Sequence, residues 1–429
     1  MNVAIIGAGW AGLAAAIAAT QAGHQTTVFE AARTVGGRAR ALTIPSTDAP
    51  PLVLDNGQHI LIGAYSRCLA LMRTVGCDVD AVLDRRPLEL RYPDGRGLRM
   101  PAGPAWLAFG RAVAGCQGWG TRDRVALMLT SARWALGGFR CAPTQSVADL
   151  CGGLTQPVRA LLIEPLCVAA LNTPAHQASG QVFLRVLADA LFGGAGTADL
   201  LLPRRTLGEL LPAPAQSWLT QHGARLALGH RVLALRNDAS GWSVDGESFD
   251  RIILACSATE AARLAQTLAP AWAELAGGLR YQPIVTVYFQ CDGAFLPAPM
   301  TALVEGPLAP AQFAFDHGAL GSVPGRFAFV ISGADRWLAQ GQAALASAAQ
   351  AQAEQVLRPL SRLAGLRLVR VMTDKRATFS CTPGLRRPSP QVVGGILAAG
   401  DYVQGPYPAT LEGAVRSGEV AIRLALASD

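Results

Sequence analysis

The chain has 429 residues, of which 51% are hydrophobic and only 16% are charged. This composition supports a sizeable core and excludes a disordered chain, while the length suggests two domains or one large α/β unit. The formal net charge is +7, and Lys375 is the only lysine, so nearly all of the positive charge is arginine. No basic run is interleaved with aromatic residues, so we expect no nucleic-acid partner. The positive charge instead favours attraction of the protein to an anionic membrane surface.

The sequence carries no predicted signal for export or for membrane insertion. The first apolar run begins at Val3 without a basic segment before it, so we expect no signal peptide. No uncharged apolar run reaches the roughly 18 residues that a spanning helix needs. The nine cysteines are dispersed, without a C-x-x-C pair or a Cys/His cluster at metal-ligand spacing. We therefore expect a reducing, cytoplasmic compartment and no metal site.

The start of the chain predicts a βαβ unit that binds a dinucleotide. The short apolar strand "VAII" precedes Gly7, Gly9 and Gly12, which form a G-x-G-x-x-G motif before an alanine-rich helix, and a second strand ends at Glu30. In such a motif the glycines make the tight turn, let the backbone approach a pyrophosphate and let the helix pack on the strand. The helix N-terminus favours the anion. Glu30 is placed to accept hydrogen bonds from ribose hydroxyls.

A second glycine-rich segment follows Glu30 by only a few residues. It consists of Gly36, Gly37 and Arg38. A nicotinamide-binding fold has no particular need for them there. A flavoprotein does need them, because its chain must turn back beneath the flavin, and Arg38 is then placed to meet the diphosphate. These residues favour FAD over NAD. An ordinary surface turn is the alternative interpretation.

The segment "LDNGQHILIG" places several polar side chains beside a predicted buried strand. Asp55, Asn56, Gln58 and His59 surround Gly57, and burying so many polar groups costs free energy unless each finds a partner. The residues alone leave two alternatives open: contact with a bound ligand, or a hydrogen-bonded turn remote from the ligand.

The middle of the chain predicts a hairpin, an apolar helical region and several long strands. The hairpin lies around Asp94-Gly95 in "LELRYPDGRGLRM". Residues 100–200 are helical and contain tryptophan beside arginine, a combination typical of a membrane interface and equally typical of core helices with a solvated face. Residues 231–235 and 251–255 predict strands, and "YQPIVTVYFQC", "RFAFVISG" and "LRLVRVMTDKRATF" predict a mixed sheet.

The last part of the chain completes the predicted nucleotide site. A short buried strand at 396–399 leads to Gly400 and Asp401, at the strand end where ligands bind in open α/β sheets. Asp401 would accept hydrogen bonds from the ribityl chain or the diphosphate side. A helix then starts at Ala409 or Thr410, and its N-terminus favours negative charge near a reduced flavin. We expect small residues on this helix to let a planar ring approach: Gly413, Ala414, Ser417 and Gly418.

As a set, the two ends of the chain resemble the flavin amine oxidase and phytoene desaturase superfamily. The motifs that carry this resemblance are the three glycines with Glu30, "GGR" at 36–38, and the terminal "GD" with its "P-x-T-L-E-G-A-x-x-S-G" helix. Three strings, "LDNGQHILIGAY", "EPLCVAALNTP" and "KRATFSCTPG", resemble more closely the squalene-associated FAD-dependent desaturase group.

This resemblance implies an α/β fold with a discontinuous Rossmann-like FAD-binding domain and a substrate domain built from a mixed sheet and helices. The implied boundaries are 1–85, 205–275 and 380–429 for the FAD-binding domain, and 86–204 and 276–379 for the substrate domain. Further residues implied to contact FAD are Asn56, Gly57, Val232, Thr410 and Leu411.

The resemblance also implies the activity: hydroxysqualene is reduced to squalene, in squalene and hopanoid synthesis, by loss of its hydroxyl as water and hydride transfer from reduced FAD. Loss of the hydroxyl would leave an allylic cation on the substrate. A dry pocket would prevent water from recapturing this cation. We expect His59 to be the acid, because imidazole protonates near neutral pH, although a structural histidine is the alternative. Glu164 is the second candidate acid, and Tyr402 is expected to wall the pocket.

Two other functions are compatible with the sequence. An oxidative carotenoid or phytoene-type desaturase, or another flavin amine oxidase-like enzyme, would transfer hydride in the opposite direction. A prenyl-lipid carrier of the same fold would have lost its flavin, against which the intact glycine motif argues. The expected partners are hydroxysqualene and squalene, an external reductant for FAD and an anionic membrane surface, with peripheral attachment to the inner membrane. Contact with the upstream enzymes of the squalene pathway is a further expectation.

Overall fold

The computed structural model describes residues 1–45, 50–238, 241–358 and 365–427. The strands are β1 (Asn2–Ile6), β2 (Gln25–Glu30), β3 (Ala41–Ile44), β4 (Leu52–Asp55), β5 (Leu61–Ile62), β6 (Leu83–Arg86), β7 (Glu89–Arg91), β8 (Gly97–Arg99), β9 (Leu200–Pro203), β10 (Arg225–Leu228), β11 (Leu235–Asp238), β12 (Gly241–Val244), β13 (Glu247–Phe249), β14 (Arg251–Leu254), β15 (Tyr281–Gln290), β16 (Met300–Ala302), β17 (Phe313–Asp316), β18 (Arg326–Ser332), β19 (Arg367–Phe379), β20 (Gln391–Val393) and β21 (Ile396–Ala398).

The helices are α1 (Trp10–Gln21), α2 (Ser66–Thr74), α3 (Val79–Val82), α4 (Ala105–Gly115), α5 (Thr121–Leu136), α6 (Val147–Leu150), α7 (Gln156–Val158), α8 (Glu164–Leu171), α9 (Gly180–Phe192), α10 (Leu207–Leu210), α11 (Pro212–Gln221), α12 (Ala258–Ala265), α13 (Pro270–Gly277), α14 (Asp335–Leu338), α15 (Gln342–Leu357) and α16 (Leu411–Leu426). A π-helical segment, Arg159–Ile163, directly precedes α8.

A six-stranded sheet in the order β10-β2-β1-β14-β21-β20 forms the nucleotide-binding part of the molecule. Its pairings are parallel except that of β20 with β21, and α1 packs against both α16 and α11. The strands come from widely separated parts of the chain, so the expected discontinuous Rossmann-like fold is confirmed. The exact domain boundaries stay a prediction.

A five-stranded sheet in the order β16-β17-β18-β15-β19 forms the second large sheet. All of its pairings are antiparallel, so the mixed sheet of this molecule is the six-stranded one. Side chains alternate along β15: Val285 and Val287 pack in a cluster with α15, whereas Ile284 and Tyr288 pack on the opposite side. Both faces of the strand are therefore covered, which explains why apolar residues occur at both odd and even positions of β15.

The helical region contains a local distortion next to a proline. Pro165 has no N–H to offer the carbonyl of Leu161, and the hydroxyl of Tyr92 donates to that carbonyl instead, at 3.1 Å. The helix there takes π-helical hydrogen bonding before α8 begins. Tyr92 lies in the hairpin of β7 and β8, which is present as expected.

The prediction of a strand at 231–235 is wrong, because residues 231–234 are irregular. The chain leaves the nucleotide sheet after β10 at Gly229, whose φ of +73° favours glycine. The segment that follows is irregular, and the carboxylate of Asp245 accepts hydrogen bonds from the N–H groups of Leu233 and Ala234. The strand expected at 251–255 is present as β14. Within the described ranges, no helix is both long enough and apolar enough to cross a bilayer.

Candidate flavin-binding and catalytic site

One cavity of about 620 Å³ runs from the glycine motif to the antiparallel sheet. That volume is within the range of ligand pockets. Its lining includes every residue expected to bind the cofactor except Gly12, and it includes His59 and Tyr402 but not Glu164. The far end is lined by apolar side chains: Leu88, Leu90, Leu166, Ile284, Met300, Phe313, Phe315 and Val330.

Two glycines of the motif, Gly7 and Gly12, lie where backbone segments approach too closely for any side chain. Gly7 has a φ of +110°, and a Cβ there would lie 2.6 Å from the carbonyl oxygen of Ala255. A Cβ at Gly12 would lie 1.8 Å from the carbonyl oxygen of Gly7, so Gly12 serves helix packing rather than ligand contact. Gly9 caps α1, and the first turn of α1 borders the cavity.

Glu30 holds two backbone segments in place beside the cavity. Its carboxylate accepts hydrogen bonds from the N–H of Ala8 at 2.7 Å and from the N–H of Ala32 at 2.8 Å. A carboxylate has further acceptor capacity beyond two bonds, so the ribose contact expected for Glu30 stays a prediction that this geometry permits.

Arg38 and Asp401, from opposite ends of the chain, form an ion pair at 2.5 Å in the cavity wall. Arg38 also donates to the carbonyl of Ala377 at 2.6 Å. Burial lowers the pKa of Arg38, but Asp401 outweighs it and the net shift is upward. The sequence assigned these two residues to FAD separately. In the structure they act as one unit, at the point where the chain segments around residues 38, 377 and 401 meet.

Two of the small residues of α16, Gly413 and Gly418, serve helix packing rather than the approach of a planar ring that was expected. A Cβ at Gly413 would lie 1.9 Å from the carbonyl oxygen of Tyr407, and a Cβ at Gly418 would lie 2.2 Å from that of Ala11. Both glycines therefore let α16 pack against backbone, in the second case against α1. Of the four small residues, Ala414 lines the cavity.

The polar segment 55–59 is held by hydrogen bonds from several directions. Asn56 donates to the carbonyl of Arg38 at 3.2 Å. Gln58 is bound by the Thr286 hydroxyl, which accepts from its N–H at 3.3 Å, and by His317, whose Nε2 lies 3.1 Å from the Gln58 Oε1. These contacts hold residues 56–59 along the cavity wall. The turn is hydrogen-bonded but not remote from the ligand space, so a contact of this segment with a bound ligand stays a prediction that the geometry permits.

His59 borders the cavity in a defined tautomer. Its Nδ1 lies 2.8 Å from the carbonyl oxygen of Gly57, so Nδ1 carries a proton and Nε2 is the remaining ring nitrogen. Burial lowers the pKa of His59; the bond to Gly57 opposes this, and nearby Arg38 adds to it. The imidazole is therefore mainly neutral at pH 7, and it is protonated to a smaller degree than a histidine with an ordinary pKa would be.

Tyr402 presents a buried hydroxyl that has no hydrogen-bond partner among the described residues. The residue is only 2% exposed and lines the cavity. Burial raises the pKa of Tyr402 well above its ordinary value, so its phenol stays protonated and remains a donor. Because buried hydroxyls nearly always have partners, an unpaired one at this position indicates a bound group.

Glu164 is not a cavity residue. It begins α8 directly after the π-helical segment, its side chain is exposed, and the cavity is lined instead by later residues of the same helix such as Leu166. Besides Glu30 and Asp401, the cavity is lined by Asp374 on β19, whose carboxylate accepts a hydrogen bond from the N–H of Arg376 at 2.9 Å. Sequence reasoning missed Asp374; its signal was a lone acid within a predicted sheet strand.

Asn172, also missed, anchors the end of α8 to the sheet. It has a left-handed backbone with φ 47°, and its amide donates to the carbonyl of Gln282 at 3.2 Å and the hydroxyl of Thr378 at 2.9 Å. Its oxygen accepts from the N–H of Gly333 at 2.8 Å. This single side chain fixes the helix that walls the cavity.

The polar end of the cavity fits an anionic dinucleotide. The N-terminal turns of α1 and α16 both border it, and helix N-termini bind anions through free N–H groups. Arg38 is there, and the Nε of Arg40 is buried without a partner among the described residues. Gly9 leaves space that a side chain would fill, since a Cβ there would lie 3.8 Å from the Cα of Gly37, and Tyr402 offers its unpaired hydroxyl.

The chain is similar over its whole length to three curated proteins, each named hydroxysqualene dehydroxylase. The relative from Rhodopseudomonas palustris is 30% identical, covering 100% of this chain and 99% of the relative. The relative from Sinorhizobium fredii is 28% identical, covering 99% of this chain and 98% of the relative, and that from Zymomonas mobilis is 25% identical, covering 98% of each. A probable zeta-carotene desaturase from Synechococcus elongatus is 42% identical over only 18% of this chain and 15% of its own length.

Solved structures share the fold at low sequence identity. An oxidoreductase from Methanosarcina mazei superposes with a TM-score of 0.75 at 14% identity, covering 99% of this chain and 100% of its own. Putrescine oxidase bound to putrescine gives a TM-score of 0.69 at 18% identity over 100% of this chain and 99% of its own.

The family model described as "Flavin containing amine oxidoreductase" matches residues 10–423. This match spans both ends of the cavity, from α1 to α16, and agrees with the motifs and with the chemistry of the polar end. The cofactor is FAD. The chain belongs to the flavin-containing amine oxidoreductase family and is an FAD-dependent oxidoreductase.

Proposed function

We propose that this enzyme reduces hydroxysqualene to squalene, releasing the hydroxyl as water, within squalene and hopanoid synthesis. The observation that carries the proposal is the continuity of the cavity, in which the dinucleotide end and the apolar chamber are one space. A long isoprenoid hydrocarbon suits that chamber, and the full-length relatives named for this reaction support the choice of substrate.

Reduced FAD, when bound, supplies the hydride. The residues that would hold it are the glycine turn before α1, the Arg38–Asp401 pair and the N-terminal turn of α16. Arg38 and the two helix N-termini favour the negative charge of the diphosphate and of the reduced ring. The reductant that reloads the cofactor is external to this chain in our proposal.

His59 is the proposed proton donor. The Nδ1–H is engaged by Gly57, so a proton taken up at Nε2 is the one available to the cavity. Transfer of this proton to the substrate oxygen lets the C–O bond break with water as the leaving group, and the carbon then receives the hydride. The reaction is balanced, because one proton and one hydride convert the alcohol to hydrocarbon and water.

Two further side chains suit the charge that develops on the substrate. Asp374 places a carboxylate in the cavity wall, where a negative charge stabilises an allylic cation. Tyr402 offers a neutral phenol that can donate to an oxygen. The apolar residues of the chamber, such as Phe313 and Phe315, exclude water that would otherwise recapture the cation.

The experiment is an anaerobic incubation of the FAD-loaded protein with hydroxysqualene, with and without a chemical reductant. We expect squalene in the presence of the reductant and none in its absence, measured by mass spectrometry. Failure to form squalene with fully reduced, FAD-loaded protein would refute the proposed reaction.

An oxidative desaturase is the second candidate, because part of the chain is similar to a probable zeta-carotene desaturase. That similarity covers less than a fifth of the chain, whereas the similarity to the dehydroxylases is full length. The same assay separates the two functions, because an oxidative desaturase would not form squalene from hydroxysqualene in the presence of a reductant. It would need oxidised FAD and would introduce a double bond into a carotenoid precursor.

A further inference from the structure

The helix α5 has two apolar faces, only one of which is covered. Leu127, Thr130 and Trp134 are buried at i, i+3 and i+7 spacing. A second stripe lies on the exposed surface at i, i+3, i+4 and i+11: Val125, Met128, Leu129 and Leu136. Leu129 is 65% exposed and Leu136 is 91% exposed. A surface helix normally turns polar residues to solvent, so the second stripe needs another explanation.

The neighbouring helix α4 extends this exposed stripe. Trp106 is 61% exposed and Leu107 is 45% exposed in its first turn. The two helices touch, since a Cβ at Gly110 would lie 3.9 Å from the Cε of Met128. We call the six exposed residues the α4–α5 face: Trp106, Leu107, Val125, Met128, Leu129 and Leu136.

The charge around the α4–α5 face is positive. Between residues 101 and 140 the sequence has five arginines and a single acid, Asp123. Asp123 is occupied at the start of α5, where it accepts the N–H of Gly120 at 2.8 Å. The exposed arginines of this region are Arg111, Arg122, Arg133 and Arg140.

The α4–α5 face also lies close to the apolar chamber. Helix α4 packs on β8, which pairs with β7. Leu88 and Leu90, directly before and within β7, line the cavity. One layer of hairpin therefore separates the helix that carries Trp106 from the chamber.

We propose that the α4–α5 face docks on the surface of an anionic lipid bilayer. Its apolar side chains would lie at the boundary between headgroups and acyl chains, and its arginines would contact lipid phosphates, as in helices that lie in the interface plane. A bilayer satisfies both features, because it offers an apolar layer beneath a negatively charged one. The inference does not depend on the identity of the substrate.

The test is co-sedimentation of the FAD-loaded protein with vesicles of phosphatidylcholine alone and of phosphatidylcholine with phosphatidylglycerol. We expect strong binding to the anionic vesicles that weakens as salt is raised. The double substitution Leu129→Glu/Leu136→Glu should lower the partition coefficient roughly tenfold or more. Arg111→Gln/Arg133→Gln should lower it to a similar degree on anionic vesicles and little on neutral ones.

Matched controls are Leu368→Glu, an exposed leucine on the edge strand β19, and Arg73→Gln, an exposed arginine at the end of α2. Both should bind vesicles like the unaltered protein, and all variants should keep their FAD and melting temperature. Equal binding by the α4–α5 variants and the controls would overturn the proposal. So would an oligomer that the double glutamate variant dissociates while no protein sediments with vesicles, because the face would then bind protein.

Discussion

At the scale of single residues, the proposed chemistry depends most directly on His59. If it donates the proton that releases water, His59→Ala should keep FAD but lose roughly 10² to 10⁴-fold in turnover of hydroxysqualene. His59→Gln should be nearly as poor, since glutamine cannot transfer a proton. The measurement is turnover at matched FAD occupancy. Near-normal rates in the alanine variant would remove His59 from the mechanism and leave Asp374 and Tyr402.

The lowered pKa of His59 sets the expected pH dependence. Only the protonated ring is active as an acid, and burial moves its pKa below 6.5. The value of kcat/KM should therefore fall about tenfold per pH unit as the pH rises above that pKa, and rise toward lower pH. The limb should be absent from the residual activity of His59→Ala. An activity that increases from pH 6 to pH 8 in the unaltered enzyme would contradict this assignment.

Asp55 should make the folded state less stable as the pH rises. Burial raises its pKa from 3.8 to about 7, so between those values the folded state binds more protons than the unfolded one, and up to about 4 kcal/mol of stability is lost. Its carboxyl accepts the N–H of Leu207 at 2.8 Å, a bond that asparagine keeps. Asp55→Asn should therefore raise the free energy of unfolding at pH 8, and by clearly less at pH 5, where only part of the window between the two pKa values has been crossed. An equal effect at both pH values would be inconsistent with the raised pKa.

A residue could be predicted from the sequence where nearby residues determine its role, and could not where long-range packing determines it. Gly7 and Gly12 were predictable because a tight turn and a close helix approach demand glycine at fixed spacing. Asp374 was not, because its position in the cavity depends on which face of β19 meets the chamber. Glu164 was misplaced because it was chosen as a carboxyl among apolar residues, whereas tertiary packing decides which residues of α8 face the chamber.

At the scale of elements, the packing of α16 determines where its N-terminus borders the cavity. Gly418 lets it approach α1, and Ser417 accepts the N–H of Gly400 at 2.8 Å. Glu412, fully buried, joins α16 to α2: its carboxylate accepts from the N–H groups of Arg67 and Cys68 and from the side chain of Arg416. The sequence predicted this helix and its start, but Gly418 was assigned to the flavin because its backbone neighbour, Ala11, is distant in sequence.

We expect Glu412→Ala to destabilise the protein by about 2–5 kcal/mol, because the N–H groups of Arg67 and Cys68 lose their acceptor and Arg416 loses its ion pair. FAD should be lost more easily, since the start of α16 lines its site. The control is Glu419→Ala on the same helix, whose pair with Arg67 is partly exposed and should cost about 1 kcal/mol or less. The measurement is denaturant unfolding together with FAD content. Similar losses in both variants would show that Glu412 is not the link between the helices.

At the scale of the whole molecule, the cavity exists because three distant parts of the chain meet. The residues of the "GGR" motif, the "DNGQH" segment and the terminal "GD" converge at the Arg38–Asp401 pair. The resemblance to a known superfamily predicted the discontinuous fold. The continuity between dinucleotide site and apolar chamber could not be predicted, because it depends on long-range packing such as that of Asn172 against the antiparallel sheet.

In our proposal, the reduced enzyme passes hydride to hydroxysqualene in this cavity. The most direct test is an anaerobic single turnover, in which pre-reduced protein is mixed with hydroxysqualene while flavin absorbance and squalene are followed together. We predict that oxidised flavin reappears in equal amount to the squalene formed, and that His59→Ala slows both signals alike. A flavin that stays reduced in the presence of hydroxysqualene, or that is reoxidised without formation of squalene, would contradict the account.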